Sequence, residues 1–227
     1  MRLDRFLFHY SDYGRRDIRR ILAAGRVQVE GEVEKDTQRE IGDFTQVQLD
    51  GVLLREDTAC YLMLNKPAGY LSATTDPVHT TVMDLIDVPQ TLHIAGRLDR
   101  ASTGLLILTN DGKWSRRLTE PKENVPKVYL VETAEPITQE THDHFADGIY
   151  FAYEDLTTAP AELEVLTDHQ ARLTIFEGRY HQVKRMFHAV GNKVTSLHRE
   201  SMGDIRLDAN LKPGEYRHLS AIEIAGI

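Results

Sequence analysis

The chain is poor in the features that would make several common protein classes plausible. It has one cysteine, Cys60, so no intrachain disulfide can form and a thiolate-based zinc site lacks ligands. No uninterrupted apolar stretch approaches the roughly 18 residues of a membrane-spanning helix. The first residues interleave Arg2, Asp4 and Arg5 with apolar side chains, unlike the continuous apolar core of a secretion signal. Repeats and low-complexity tracts are also missing. Cys60 precedes the apolar run Tyr61-Leu62-Met63-Leu64, so it is expected to be a buried thiol in a reducing, cytoplasmic setting.

Net positive charge is lacking too. The formal charge is −8, which taken alone argues against a nucleic-acid partner. Its distribution argues the other way. Residues 1–26 carry seven Arg against three Asp, and residues 179–199 carry five Lys or Arg and no acid. Residues 128–171 carry ten acids and no Lys or Arg. Segregation of this kind suggests basic faces that meet phosphate and an acidic segment turned away from it.

The hydrophobic content of 41% supports ordinary cores, and the length of 227 residues suits a small unit plus a medium one. Leu3, Phe6, Leu7 and Tyr10 predict a short helix. Ile18, Ile21 and Leu22 predict a second over 15–24, stopped by Gly25, with Arg15, Arg16, Arg19 and Arg20 on its other faces. Val27 to Val33 and Thr45 to Leu49 alternate as strands with turns at Gly31 and Asp50-Gly51. This segment resembles the S4 RNA-binding domain through Arg2-Leu3-Asp4, Gly14-Arg15-Arg16, Ile21, Gly25 to Val29 and Gly31. It departs at Gly14, where the family usually has Ser. That resemblance makes Arg15, Arg16, Arg19 and Arg20 phosphate contacts.

Polar residues 55–59 read as a linker, giving an S4-like domain at 1–57 and a second domain at 60–227. Strands are predicted at Tyr61–Leu64, Leu105–Leu108, Lys127–Glu132, Ala161–Leu166 and Ala171–Phe176. Helices are predicted at Thr81–Leu85, Lys113–Leu118, Gln139–Asp147 and His181–Val190. The class is α+β.

Two stretches carry chemistry. From Gly96 to Gly112, a charged segment with Asp99 between Arg97 and Arg100 runs into the apolar strand Leu105–Leu108. Flanking guanidinium groups keep such a carboxylate ionised and oriented. From Glu177 to Gly191, a loop feeds a helix whose Val183, Met186, Phe187 and Val190 share one face, while Lys184 and His188 share another with Arg185 beside it. Backbone N–H groups at such a helix start favour anions. Either stretch alone also fits an ion-paired surface loop or an amphipathic surface helix.

Together with Leu64 to Tyr70, Lys127-Val128-Tyr129, Leu197 to Gly203 and Leu211 to Arg217, these stretches resemble the RsuA-type pseudouridine synthases over nearly the whole chain. The resemblance implies a larger, mixed and mainly antiparallel-sheet catalytic domain behind the S4-like one. It implies isomerisation of a uridine in RNA without cofactor or metal. By the same resemblance Asp99 is the catalytic carboxylate, Tyr129 stacks on the flipped uracil, Lys184 is the basic partner of Asp99, and Val183 packs near the base. Arg185, adjacent to Lys184, is the other candidate partner. Arg97, Arg100, Arg179 and Arg185 are expected to contact RNA or brace the Asp99 loop.

Arg179 to Arg185 and Leu197 to Glu200 are most similar to members that act on small-subunit (16S) rRNA. Large-subunit relatives usually have Arg in place of Lys184 and Asn-Arg in place of Tyr180-His181. The expected partner is therefore 16S rRNA in an assembling small subunit, met by a monomer away from any membrane. Large-subunit rRNA and a non-catalytic RNA-binding or assembly role on the same fold are the alternatives. A metal-dependent nuclease is a third, for which no clustered ligands are found. His142-Asp143-His144 lies in an acidic helix with no third ligand. Tyr150, Phe151 and Tyr153 are expected to pack in the core or between domains, and Trp114 to cover the core.

Overall fold

The computed structural model describes residues 1–227 and divides into two units, Met1–Ala59 and Cys60–Ile227. In the first unit, α1 (Leu3–Tyr10) buries Leu3, Phe6 and Leu7, and α2 (Arg15–Ala23) buries Ile18, Ile21 and Leu22. These faces pack with Val27, Val29, Ile41, Val47 and Leu49 in one core. Strands β1 (Val27–Val29), β2 (Glu32–Val33), β3 (Val47–Leu49) and β4 (Val52–Leu53) form a sheet of order β2-β1-β3-β4. Both hairpins turn on a pair of left-handed residues, Glu30-Gly31 and Asp50-Gly51, with φ of 52° and 84°, and 52° and 81°. Positive φ at both central positions is the turn whose twist matches that of two paired strands.

The second unit is built on one large sheet. Its elements are β5 (Tyr61–Lys66), β6 (His93–Ala95), β7 (Thr103–Thr109), α3 (Gly112–Thr119), β8 (Lys127–Thr133) and α4 (Gln139–Asp147). There follow β9 (Tyr150–Phe151), β10 (Leu156–Thr157), β11 (Glu162–Thr167), β12 (Gln170–Ile175) and α5 (Gln182–Ala189). The chain ends with β13 (Val194–Met202), β14 (Ile205–Arg206), β15 (Tyr216–His218) and α6 (Ala221–Ala225). The sheet runs β11-β12-β8-β13-β7-β5-β15, with β6 added to β7 and β14 to β13. Every pairing is antiparallel except β13 with β7.

Helices cover both faces. Phe145 of α4 and Val183, Met186 and Phe187 of α5 pack on one face with Leu62, Leu64, Leu106 and Leu108. Trp114 and Leu118 of α3 pack on the other with Met63, Leu105 and Ile107. Strands β5 and β7 are thus buried on both sides, which is why they read as continuous apolar runs. Asp111 starts α3 by accepting from the Lys113 and Trp114 backbone N–H groups at 3.0 Å, so the Asn110-Asp111-Gly112 turn is a helix cap. Trp114 is buried and donates its indole N–H to the Ile224 carbonyl at 2.9 Å.

Two expectations need correction. The segment 81–85 is a single 3₁₀ turn, Val82–Leu85, with Thr81 and Asp84 closing a capping box. Of the three aromatics at 150–153 only Phe151 is buried in the core; Tyr150 is 58% exposed and donates to Asp155, and Tyr153, in the turn between β9 and β10, is 96% exposed.

Candidate active site

The loop before β7, residues Gly96 to Ser102, is held by the buried Lys66, Ser72 and Arg199 and by the exposed Arg100. From β5, the Lys66 ammonium donates to the carbonyls of Pro67, Arg100 and Ser102 at 3.0, 3.3 and 2.8 Å. Ser72 Oγ accepts from the Leu98 N–H at 3.1 Å and donates to the Leu98 carbonyl at 2.7 Å. Arg100 Nε donates to the Gly69 carbonyl at 2.9 Å while the Gly69 N–H donates to the Arg100 carbonyl at 2.8 Å. From β13, the buried Arg199 guanidinium donates to the Gly96 carbonyl at 2.6 Å and the Leu105 carbonyl at 2.8 Å. Lys66 and Arg199 are each at most 2% exposed, so these carbonyl contacts are what makes burial of their charges tolerable. Burial lowers the Lys66 ammonium to about 8, with Asp99 opposing that shift.

Arg199 reaches this position because β13 lies tightly against β7. A Cβ on Gly104, whose φ is +100°, would fall 2.4 Å from the Arg199 carbonyl oxygen. Glycine is therefore required there by both contact and conformation. A bulge between Arg199 and Ser201 then sets Arg199 opposite Tyr129 and Met202 opposite Lys127. All four side chains line the same cleft. Bulges beside functional sites re-aim side chains in this way.

The loop so held presents Asp99 to the start of α5. Lys184 Nζ donates to Asp99 Oδ2 at 2.6 Å, and His181 Nε2 lies 3.1 Å from Asp99 Oδ1. His181 caps α5 in the left-handed conformation, φ 50°, and its ring stacks on exposed Tyr180 at 3.9 Å between centroids. The two groups fix both carboxylate oxygens in orientation. Around them is a cleft of about 570 Å³ walled by Tyr129, Val183, Leu71 and Ile175, with Arg97, Arg100 and Arg179 exposed at its rim. An apolar pocket beside one oriented carboxylate can take a flat base and act at the sugar carbon attached to it.

The structure therefore gathers Asp99, Tyr129, Val183, Lys184, Arg97, Arg100 and Arg179 in one cleft. Arg185 lies elsewhere. Its guanidinium pairs with Glu154, 2.7 Å from Oε1, and sits 3.8 Å from the Phe151 ring centroid, so Lys184 is the Asp99 partner. Arg179 pairs with Glu177 at 2.9 Å. Arg15, Arg16, Arg19 and Arg20 are exposed on the first unit, where Arg15 lies over the Phe8 ring. Sequence reasoning missed Lys66, Ser72, His181 and Arg199. A signal existed for Arg199, an arginine alternating with Leu197 on the inward face of β13.

The RNA pseudouridylate synthase family model matches residues 60–189. Ribosomal small subunit pseudouridine synthase A of Pseudomonas aeruginosa is 53% identical, with 100% of both chains covered. The protein of that name from Escherichia coli K12 is 46% identical, again over 100% of both. A solved structure described as a pseudouridylate synthase superposes with a TM-score of 0.72 at 41% identity, over 100% of this chain and 99% of that one. The family match and the full-length relatives show the family: the chain belongs to the RNA pseudouridylate synthase family.

Proposed function

We propose that this protein converts a specific uridine of small-subunit (16S) rRNA to pseudouridine, with Asp99 as the catalytic carboxylate. In that reaction the N1–C1′ bond breaks, the uracil rotates, C5 bonds to C1′, and the proton lost from C5 is balanced by one gained at N1. No atom is lost and no redox change occurs, so the chemistry requires no cofactor. Asp99, held by Lys184 and His181 at the foot of an apolar wall, is the observation that carries the reading. Tyr129 offers a ring for the flipped base, Val183 an apolar contact, and Arg97, Arg100 and Arg179 guanidinium groups for flanking phosphates. The small-subunit assignment is supported by the names of the full-length relatives.

The first unit, two helices with two hairpins, serves in this reading as an S4-like RNA-binding domain. Arg15 and Arg19, with Arg2 and Arg5, line a groove of about 520 Å³ beside Phe8, and Arg16 and Arg20 extend the basic surface. The enzyme works as a monomer in the cytoplasm, on RNA of an assembling subunit.

The test uses rRNA from cells with and without the gene, treated with a carbodiimide that marks pseudouridine and mapped by reverse-transcription stops. One stop lost from small-subunit rRNA, restored by wild type and not by Asp99→Asn, is the expected result. A stop lost from large-subunit rRNA overturns the substrate assignment, and no change at any position overturns the enzymatic reading.

A further inference from the structure

Inside the rim formed by Arg97, Arg100 and Arg179, four further cations face or underlie the cleft, from β5 (Lys66), β8 (Lys127), α5 (Lys184) and β13 (Arg199), against the one carboxylate Asp99. Three have their charge accounted for. Lys184 pairs with Asp99, Lys66 is surrounded by three carbonyls, and Arg199 donates to Gly96 and Leu105. Lys127 is different. It is 95% buried, yet its ammonium has no hydrogen-bond or ion-pair partner in the protein; what acts on it is burial and the repulsion of Arg199, both of which disfavour its charged form. It also lines the cleft, with Thr119 and Met202 beside it.

Its stem is buried and its Nζ opens only to the cleft, so the ammonium is largely removed from water without a partner, which costs stability. Met202, directly opposite in the register, shows that an apolar side chain fits this environment. A cation kept here is placed for something that enters the cleft with negative charge. Flanking phosphates do not suit it, since they follow the exposed rim that Arg97, Arg100 and Arg179 already line. Lys127 sits inside, on the same face of β8 as Tyr129 and about 7 Å along the strand from it. It is therefore on the wall that receives the flipped base.

We infer that Lys127 stabilises the negative charge that develops on uracil when its bond to the sugar breaks. The inference rests on the synthase reading above. In that step the N1–C1′ electron pair leaves with the base and spreads from N1 over the two carbonyl oxygens. An ammonium facing one of them interacts more strongly with the departing base than with the neutral base of the bound RNA, and only that difference accelerates the step. When C5 bonds to C1′ the charge is taken back, the C5 proton leaves and N1 gains one, so Lys127 gives up no proton. Asp99 acts at the sugar from the loop before β7, and Lys127 acts at the base from β8.

The experiment compares wild type, Lys127→Met and Lys127→Arg on an RNA that the wild type converts, measuring the single-turnover rate at saturating enzyme and the Kd for RNA separately. Lys127→Met removes an unpartnered, partly desolvated charge at nearly constant volume, so it is expected to fold with a Tm no lower than that of wild type. Its single-turnover rate is expected to fall about 10²-fold to 10³-fold, the loss typical of one oxyanion donor. Its Kd should stay within about twofold, and Lys127→Arg should recover much of the rate. A Lys127→Met enzyme that turns over at the wild-type rate overturns the proposal. A raised Kd with an unchanged rate also overturns it and makes Lys127 a phosphate contact. Equal inactivity of the Met and Arg variants overturns it as well, because charge would not be the property that matters. Wild type that converts no RNA instead refutes the synthase reading on which the proposal stands.

Discussion

Arg199→Met tests the physical account of how Asp99 is held. The Arg199 guanidinium makes two short, charge-assisted hydrogen bonds, to Gly96 at 2.6 Å and Leu105 at 2.8 Å; a third contact, to Arg97 at 3.5 Å, is too long to count. Bonds of this kind contribute about 1.5–3 kcal/mol each, so roughly 3–6 kcal/mol of interaction is lost. Against that stands the relief of a buried charge, worth on the order of several kcal/mol before its partners are counted. Two buried carbonyls are then left bare at about 1 kcal/mol or more each. The net expectation is a loss of about 3 kcal/mol. With a urea slope near 2 kcal/mol/M, the unfolding midpoint should drop by roughly 1.5 M. Trp114, the one tryptophan of the chain, is buried in the second unit and reports its unfolding without interference from the first.

The two bonds also act on different things. Leu105 lies inside β7, whereas Gly96 opens the loop that carries Asp99. Arg199→Met should therefore lower the single-turnover rate about 10²-fold even under conditions where it is fully folded, the usual loss when a reacting group is misplaced by about 1 Å. Arg199→Lys, which can reach one carbonyl but not both, should fall between. A variant that loses stability yet keeps the wild-type rate when folded would refute the claim that Arg199 positions Asp99. One that keeps both would refute the hydrogen-bond reasoning altogether.

Three further outcomes follow from named groups. Burial takes Lys66 from 10.5 to about 8, so between those values the folded protein is neutral there while the unfolded chain is protonated. The unfolded state then binds more protons, and stability rises with pH across that window. Urea titrations should show wild type gaining on Lys66→Met by up to about 3 kcal/mol from pH 8 to 10.5, and a constant difference between them would show that Lys66 stays charged. Ser102 Oγ is buried with no hydrogen-bond partner, so Ser102→Ala should gain about 1 kcal/mol and raise the Tm by roughly 2–4 °C, read by calorimetry; a lower Tm would mean the hydroxyl is satisfied. Arg19→Ala with Arg20→Ala should weaken RNA binding and flatten the plot of log K against log salt by about 1–2, and an unchanged slope would remove both residues from the phosphate contacts.

Much of the fold was legible because its signals are local. The periodicities of α1, α2 and α5, the double-faced burial of β5 and β7, and the Asp-Gly and Asn-Asp-Gly turns all act within a few residues. Strand β13 escaped the element assignment although it pairs with both β7 and β8 at the middle of the sheet. Its inward positions are Leu197, Arg199 and Ser201, and two of those three residue types normally face solvent. The tight approach that buries them depends on Gly104, roughly a hundred residues away in sequence, and no local pattern announces such a pairing. His181 escaped for a related reason. It stands before the first turn of α5 and takes its place beside Asp99 through a left-handed backbone, uncommon for any residue but glycine, which no local periodicity announces.

The sign of the cleft was the least legible property, and its origin says what the cleft is for. The chain carries a net charge of −8, yet the cleft draws Lys66, Lys127, Lys184 and Arg199 from four separate elements to meet one carboxylate. Counting charge along segments marks 179–199, which holds Lys184 and Arg199, but only the fold brings positions 66 and 127 beside them. A fold selected for stability alone would pair these cations with acids or replace them with apolar side chains, and elsewhere this chain does pair them, as at Arg172 with Glu164 and Glu200 or Arg217 with Asp208 and Glu223. The state of each cleft cation therefore separates two duties. Those saturated by carbonyls, Lys66 and Arg199, hold backbone and are complete in the free protein. Lys184 is occupied by the carboxylate it orients, and Lys127, which has neither carbonyl nor carboxylate, is complete only when the substrate supplies the missing charge.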